Sequence, residues 1–435
     1  MDHSVNKTIL ANGIKVITRK MSHLRSVSMG VWVNVGARDE SLSESGLSHF
    51  IEHMIFKGTK KRTAFQIAKE FDAIGGHTNA FTSTENTCYH AKVMDTHLDT
   101  MVDILSDVFL NSVFDDKEIE NERAVILQEI GMAEDNPDEY IHILSGMNFW
   151  GKNSLGRSVL GSRENIKSFN SDAIKKFFHR FYQPERIVVS AAGNLDHNHF
   201  MDIAGPAFES IQPGNDLSGR ITPDEHCKVD IHFKDLEQVH ICLGTKGMSI
   251  TDPRRYTFSL LNTILGGNMS SRLFQEVREK RGLAYSVYSY ASSFVDTGMF
   301  GAYAGVSSKN MEKSVRVILK EISKIREMRV DSNELRYAKE FTKGNLMLAS
   351  ESNDNQMVRV AQNETHFGRY IPLEDIINNV EAVTEDDILE LAESLFKNNR
   401  FALTLLGPVT DKHVFDDILP VQFNISETLQ QTVNK

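Results

Sequence analysis

The stretch Asn165–Leu195, NIKSFNSDAIKKFFHRFYQPERIVVSAAGNL, returns in altered form as Asn379–Val409, NVEAVTEDDILELAESLFKNNRFALTLLGPV. The two align without a gap at an offset of 214. Asn165 meets Asn379, Asp172 meets Asp386, Ile174 meets Ile388, Tyr182 meets Phe396, Arg186 meets Arg400 and Gly193 meets Gly407. The first copy reads as a helix over Ser171–Phe181 and a buried strand over Arg186–Ala192 ending at Gly193. The second reads as a helix over Glu385–Phe396 and a strand over Phe401–Leu406. A match of this length implies an internal duplication. Val27–Glu40 also resembles Val239–Asp252 in pattern.

Between the two copies, Ile211–Glu225 carries Pro213, Gly214, Asn215, Asp216, Gly219 and Pro223 and is the best linker candidate. The expected organisation is an N-terminal domain over 1–210, a linker over 211–226 and a similar C-terminal domain over 227–435. Before the linker, Ile14–Thr18 and Val27–Val35 read as strands, followed by helices over Glu44–Phe56 and Ala64–Ile74. Thr78–Val93 reads as strand or hairpin, and His97–Asn111 as an amphipathic helix. A long helix starts at Asp115, where Glu118 completes a capping-box-like signal, and runs to about Ala133 before Pro137. After the linker, strands are expected at Val229–Phe233, Val239–Leu243, Ala284–Ser292 and Met299–Val306. Helices are expected at Tyr256–Ile264, Ser270–Glu279, Asn310–Met328 and Ser332–Ala349. The fold class is therefore α+β: two similar domains, each a mostly antiparallel sheet packed with helices.

The 435 residues, 40% hydrophobic and 25% charged, suit two globular cores. A net charge of −11 with no Lys/Arg-rich run argues against nucleic acid as a partner. Cys88, Cys227 and Cys242 are scattered without C-x-x-C spacing, which argues against a disulfide framework or a cysteine metal site. No segment approaches ~18 consecutive apolar residues, so no membrane helix is expected. The opening MDHSVNKTILANG lacks the apolar stretch of a signal peptide, and a cytoplasmic location is the expectation.

The chemistry concentrates in His49-Phe50-Ile51-Glu52-His53. Residues at i and i+4 share one helical face, so both imidazoles can converge on one ion. Glu52, at i+3, can reach a water at that ion without being a ligand. This H-x-x-E-H order is the inverted form of the metallopeptidase motif. A catalytic site needs a third protein ligand, and the Asp115 helix offers Glu118, Glu120, Glu122, Glu129 and Glu134. Glu122 and Glu129, two turns apart, share a face with Val125 and Ile126 on the same side.

These residues resemble the pitrilysin, insulin-degrading enzyme and mitochondrial processing peptidase family, in its half-length bacterial form. The resemblance extends through Asn12-Gly13, Val35-Gly36-Ala37-Arg38, Phe56-Lys57-Gly58-Thr59, Gly75-Gly76 and Asn79-Ala80-Phe81-Thr82. It continues through Gly193-Asn194-Leu195, Leu265-Gly266-Gly267 and Ser271-Arg272-Leu273. In that family the third ligand is a Glu in a later helix of pattern E-x6-E. Glu122-Arg-Ala-Val-Ile-Leu-Gln-Glu129 fits, with Glu129 lying 76 residues after His53. The resemblance implies one zinc per chain on His49, His53 and Glu129, Glu52 as general base and Glu122 as outer support. It implies an edge strand at Asn79, Ala80 and Phe81 that pairs with extended peptide. It further implies an Arg and a Tyr seven apart in the second domain that reach substrate; Arg281 and Tyr288 have that spacing, with Tyr285 and Tyr290 as alternatives for the Tyr. Four such domains enclose a chamber in the family, so a homodimer, or a heterodimer with a paralogue, is expected. The function implied is zinc-dependent endopeptidase; the alternative is a non-catalytic structural or peptide-binding subunit. The second domain reads Ile264-Leu265-Gly266-Gly267-Asn268 where the metal motif would stand.

Overall fold

The computed structural model describes residues 4–214, 219–397, 400–410 and 415. They form two compact units that interleave along the chain. The first holds Met1–Gly131, Arg157–Ile221 and Leu346–Pro372; the second holds Met132–Gly156, Thr222–Asn345 and Leu373–Lys435. The expected division into 1–210 and 227–435 follows chain order, whereas these units cross that order twice. Asn215 and Asp216 of the expected linker lie outside the described residues.

The first unit is built on strands β1 (Val5–Ile9), β2 (Lys15–Lys20), β3 (Ser26–Val33), β4 (His77–Thr82), β5 (Thr87–Met94) and β6 (Ile187–Gly193), in the order β1-β2-β6-β3-β5-β4. All neighbours are antiparallel except β2 and β6. Its helices are α1 (Leu47–Met54), α2 (Ala64–Ala73), α3 (Leu98–Asn111), α4 (Asp116–Asp135, to Gly131 in this unit), α6 (Arg163–Ser168), α7 (Ser171–Phe181), α8 (His197–Glu209) and α12 (Asn353–Phe367). Because side chains alternate along a strand, the sheet has two apolar faces. Met29, Val31 and Tyr89 pack with α1, α3, α7 and α8. Trp32, Cys88 and Val188 point the other way and pack against Met357, Val360 and Ala361 of α12.

The second unit carries β7 (Val229–Phe233), β8 (Val239–Lys246), β9 (Ala284–Ser293), β10 (Gly298–Val306) and β11 (Ala402–Gly407), in the order β7-β11-β8-β10-β9. Its helices are α5 (Pro137–Trp150), α9 (Arg255–Gly266), α10 (Met311–Glu327), α11 (Ser332–Ser350, to Asn345 in this unit), α13 (Leu373–Ala382) and α14 (Glu385–Leu395). One face of the sheet packs on α9, α10 and α14, and the other on Ile141 and Leu144 of α5.

The duplication expected from the sequence is present in the topology. β2-β6-β3-β5-β4 and β7-β11-β8-β10-β9 share one order and one pattern of senses, a parallel pair followed by antiparallel pairs. Ile174 on α7 and Ile388 on α14 are both fully buried. Gly193 and Gly407 end their strands at φ +139 and +151. A Cβ would come within 2.2 Å of Ser26 O at Gly193 and 2.7 Å of Gln238 O at Gly407, so both conformation and space demand glycine.

The sequence reading lacks β1, α6, α8 and α13 as well as the back-face helices α5 and α12. Pro137 reads as a terminator, but it sits in the first turn of α5, where the missing N–H costs nothing. Asn136 caps that helix by accepting from Asp138 N. Among the described residues, no helix is long and apolar enough to cross a membrane.

Candidate metal centre

The site lies wholly in the first unit, where α1 meets α4. α1 is shorter than the expected Glu44–Phe56 because Gly46, at φ +104, turns the chain into it. The Glu40 carboxylate caps the helix from upstream, accepting from Gly46 N at 2.8 Å and Ser48 N at 2.7 Å. Leu47, Phe50, Ile51 and Met54 are buried in the core, which leaves His49, Glu52 and His53 on the neighbouring face. The two imidazole centroids are 4.7 Å apart.

α4 is capped by Asp115, whose carboxylate accepts from Lys117 N at 2.9 Å and Glu118 N at 3.4 Å. Ile119, Ile126 and Ile130 are buried and anchor the helix, while Val125 is exposed. Glu122 and Glu129 are thereby presented to α1. Glu122 Oε2 is 3.0 Å from His53 Nδ1. That contact assigns the Nδ1 proton to a bond with the carboxylate and leaves Nε2 as the nitrogen facing inward. Glu129 Oε2 is 3.6 Å from His49 Nε2 and 3.4 Å from His53 Nε2.

One ligand atom from each of His49, His53 and Glu129 lies within 4.8 Å of the others, the one such trio among the described residues. Glu129 Oε2 and His49 Nδ1 are buried with no hydrogen-bond partner. An anionic oxygen in that position is costly unless a cation joins it. Two imidazoles and one carboxylate, with a free direction left, form the donor set of a catalytic zinc site. Burial, helped by the His53 charge, pulls His49 down to about 4, which keeps the ring neutral and ligand-ready near neutral pH. Burial raises the Glu52 carboxyl, opposed mainly by hydrogen bonding from Thr82 at the end of β4. Such a carboxyl holds a proton more readily than a solvated one.

β4 is the outer strand of its sheet, paired on one side with β5. Asn79 and Phe81 are exposed along it and Ala80 is half-buried between them. Phe81 rests edge-on against Trp32, ring centroids 5.5 Å apart.

In the second unit, Arg281 and Tyr288 make contacts within the chain. Arg281 pairs with the Glu276 carboxylate and donates to its carbonyl at 2.7 Å. Tyr288 faces α5, its hydroxyl 2.8 Å from His142 Nε2. Tyr288 and Tyr290 pack with the α5 residues, whereas Tyr285 is the extra residue of a bulge, where β10 pairs Gly305 with Ser286 and Val306 with Ala284. Tyr285 is 77% exposed. Arg278 lies over its ring at 4.5 Å and donates to its carbonyl at 2.8 Å. Arg278 and Tyr285 have the same seven-residue spacing, so spacing alone could not choose between the pairs.

Residues 15–163 match the family model described as insulinase, peptidase family M16, and residues 168–341 match the model of the M16 inactive domain. The chain belongs to peptidase family M16. An "uncharacterized zinc protease" of Bacillus subtilis is 41% identical to this M16 chain, covering 91% of it and 97% of the relative. A protein of the same description in Streptomyces coelicolor is 38% identical over 94% of this chain and 91% of its own. Two solved structures share the fold. A Helicobacter pylori protease superposes with a TM-score of 0.85 at 23% identity, covering 92% of this chain and 99% of that one. A Pseudomonas fluorescens protein described as a peptidase M16 inactive domain gives 0.87 at 18% identity, over 93% and 98%.

Proposed function

We propose that this M16 chain is a zinc-dependent endopeptidase that cleaves peptides or unfolded segments bound as an extended strand. His49, His53 and Glu129 hold the metal, one ion per chain. The observation that carries the reading is the buried, partnerless Glu129 Oε2 facing two imidazole Nε2 atoms at 3.6 and 3.4 Å. Bound there, zinc supplies Lewis-acid polarisation of the scissile carbonyl and its attacking water. Glu52 takes the proton released in that attack and returns it to the leaving amine. A carboxyl raised by burial, as Glu52 is, suits both halves of that task. Glu122 fixes the His53 ring from outside.

The unpaired edge of β4 offers its main chain to the substrate as an added antiparallel strand. Asn79, Ala80 and Phe81 line that edge, so affinity comes largely from backbone bonds. In the second unit Arg278 and Tyr285 are the pair offered to substrate: Tyr285 is exposed with the Arg278 guanidinium over its ring, whereas the Tyr288 hydroxyl is taken up by His142. A homodimer, or a heterodimer with a paralogue, completes the enclosure.

The test joins metal content to turnover of a quenched peptide. The purified chain binds about one zinc and cleaves, and chelator abolishes cleavage. Glu52→Gln keeps the zinc and loses about 10²–10⁴ in kcat. A zinc-loaded Glu52→Gln protein that still cleaves at the wild-type rate contradicts the assignment.

A further inference from the structure

Just past α1, Lys57 hydrogen-bonds back through its N–H to Met54 O, and Gly58 at φ +132 then turns the chain away. This stop brings the Lys57 ammonium 2.6 Å from Glu122 Oε1. The other oxygen of the same carboxylate is the one 3.0 Å from His53 Nδ1. The Glu122 side chain is 8% exposed, and its ion-pair partners among the described residues are His53 and Lys57. A buried carboxylate gripped at one oxygen remains free to swing about its last bond. Gripped at both, it has one orientation, and that orientation aims Oε2 at the imidazole.

We propose that Lys57 is a positioning residue of the metal centre, acting through Glu122 on the direction in which His53 presents Nε2. The inference rests on the zinc reading above and deepens it. The alternative is an ion pair that only ties the end of α1 to α4 and is indifferent to metal. The two differ in what Lys57 does to zinc affinity.

The experiment measures zinc affinity by competition with a chromogenic chelator for five proteins: wild type, Lys57→Met, Lys57→Arg, Glu122→Gln and the Lys57→Met/Glu122→Gln double variant. Methionine keeps the unbranched stem of a side chain that is already 31% exposed, so the fold is retained. Outer partners of a metal-binding histidine carry about 10–100-fold in affinity. Lys57→Met therefore weakens zinc binding roughly tenfold, and Lys57→Arg restores most of it. The double variant binds no more weakly than Glu122→Gln alone, because Lys57 acts through that carboxylate. Wild-type affinity in Lys57→Met, or losses that multiply in the double variant, overturns the inference while leaving the zinc reading standing. A wild-type chain that takes up no zinc overturns the zinc reading itself.

Discussion

Replacing Glu129 by Gln should move stability and metal binding in opposite directions. The substitution preserves shape and removes a charge. In the metal-free chain, Glu129 Oε2 is buried without a partner, which costs about 1–3 kcal/mol, whereas a glutamine N–H at that place can donate to an unprotonated imidazole Nε2. The side chain is 36% exposed overall, so solvent screens part of this and the lower figure, about 1 kcal/mol, applies. For a unit of roughly 220 residues that is a rise in melting temperature of about 2–4 °C for Glu129→Gln in chelator. With zinc the order reverses. At a zinc concentration near 1,000 times the wild-type Kd, binding adds about 4 kcal/mol to wild type. A loss of about 100-fold in affinity, the upper figure for an outer partner and a modest one for a direct ligand, leaves the variant about 1.4 kcal/mol of that gain. Scanning calorimetry of both proteins, with chelator and with zinc, should show the melting curves exchange places. A variant that melts below wild type in chelator, or gains as much from zinc, refutes the reasoning.

The remaining predictions concern the supports of the site. Burial pushes the Glu40 carboxyl up to about 7 from an unfolded value of 4.5, against the pull of the Ser48 and Gly46 N–H groups. Folding then favours the protonated form, so this contribution is complete below pH 4.5 and is lost as pH rises through about 7, by about 3 kcal/mol. Glu40→Gln should flatten melting temperature against pH in that window; an unchanged slope would assign the dependence to another group. Tyr285→Phe should lower kcat/KM by about 10²-fold if its hydroxyl meets developing charge on the substrate. Tyr288→Phe should leave turnover near wild type and cost about 1 kcal/mol of stability through the lost His142 bond. Kinetics showing Tyr288→Phe as the inactive variant would restore the original pair.

Much of this protein was legible in one dimension because the relevant physics is local. His49 and His53 sit one turn apart, and Glu122 and Glu129 two turns apart, so helical periodicity alone fixes which side chains share a face. The repeat at offset 214 was legible for the same reason: Ile174 and Ile388 fill equivalent core positions, and Gly193 and Gly407 hold a backbone angle that other residues resist. Tertiary structure decided what depends on distant partners. Only packing brings Glu129 Oε2 to the imidazoles, and only packing sets Lys57 against Glu122. The exchange of α5 and α12 could not be read from order along the chain, since a helix covers whichever apolar sheet face is within reach. Arg278–Tyr285 and Arg281–Tyr288 are equal in spacing; spacing does not reveal that Tyr285 falls at the β9 bulge while Tyr288 packs with the α5 residues.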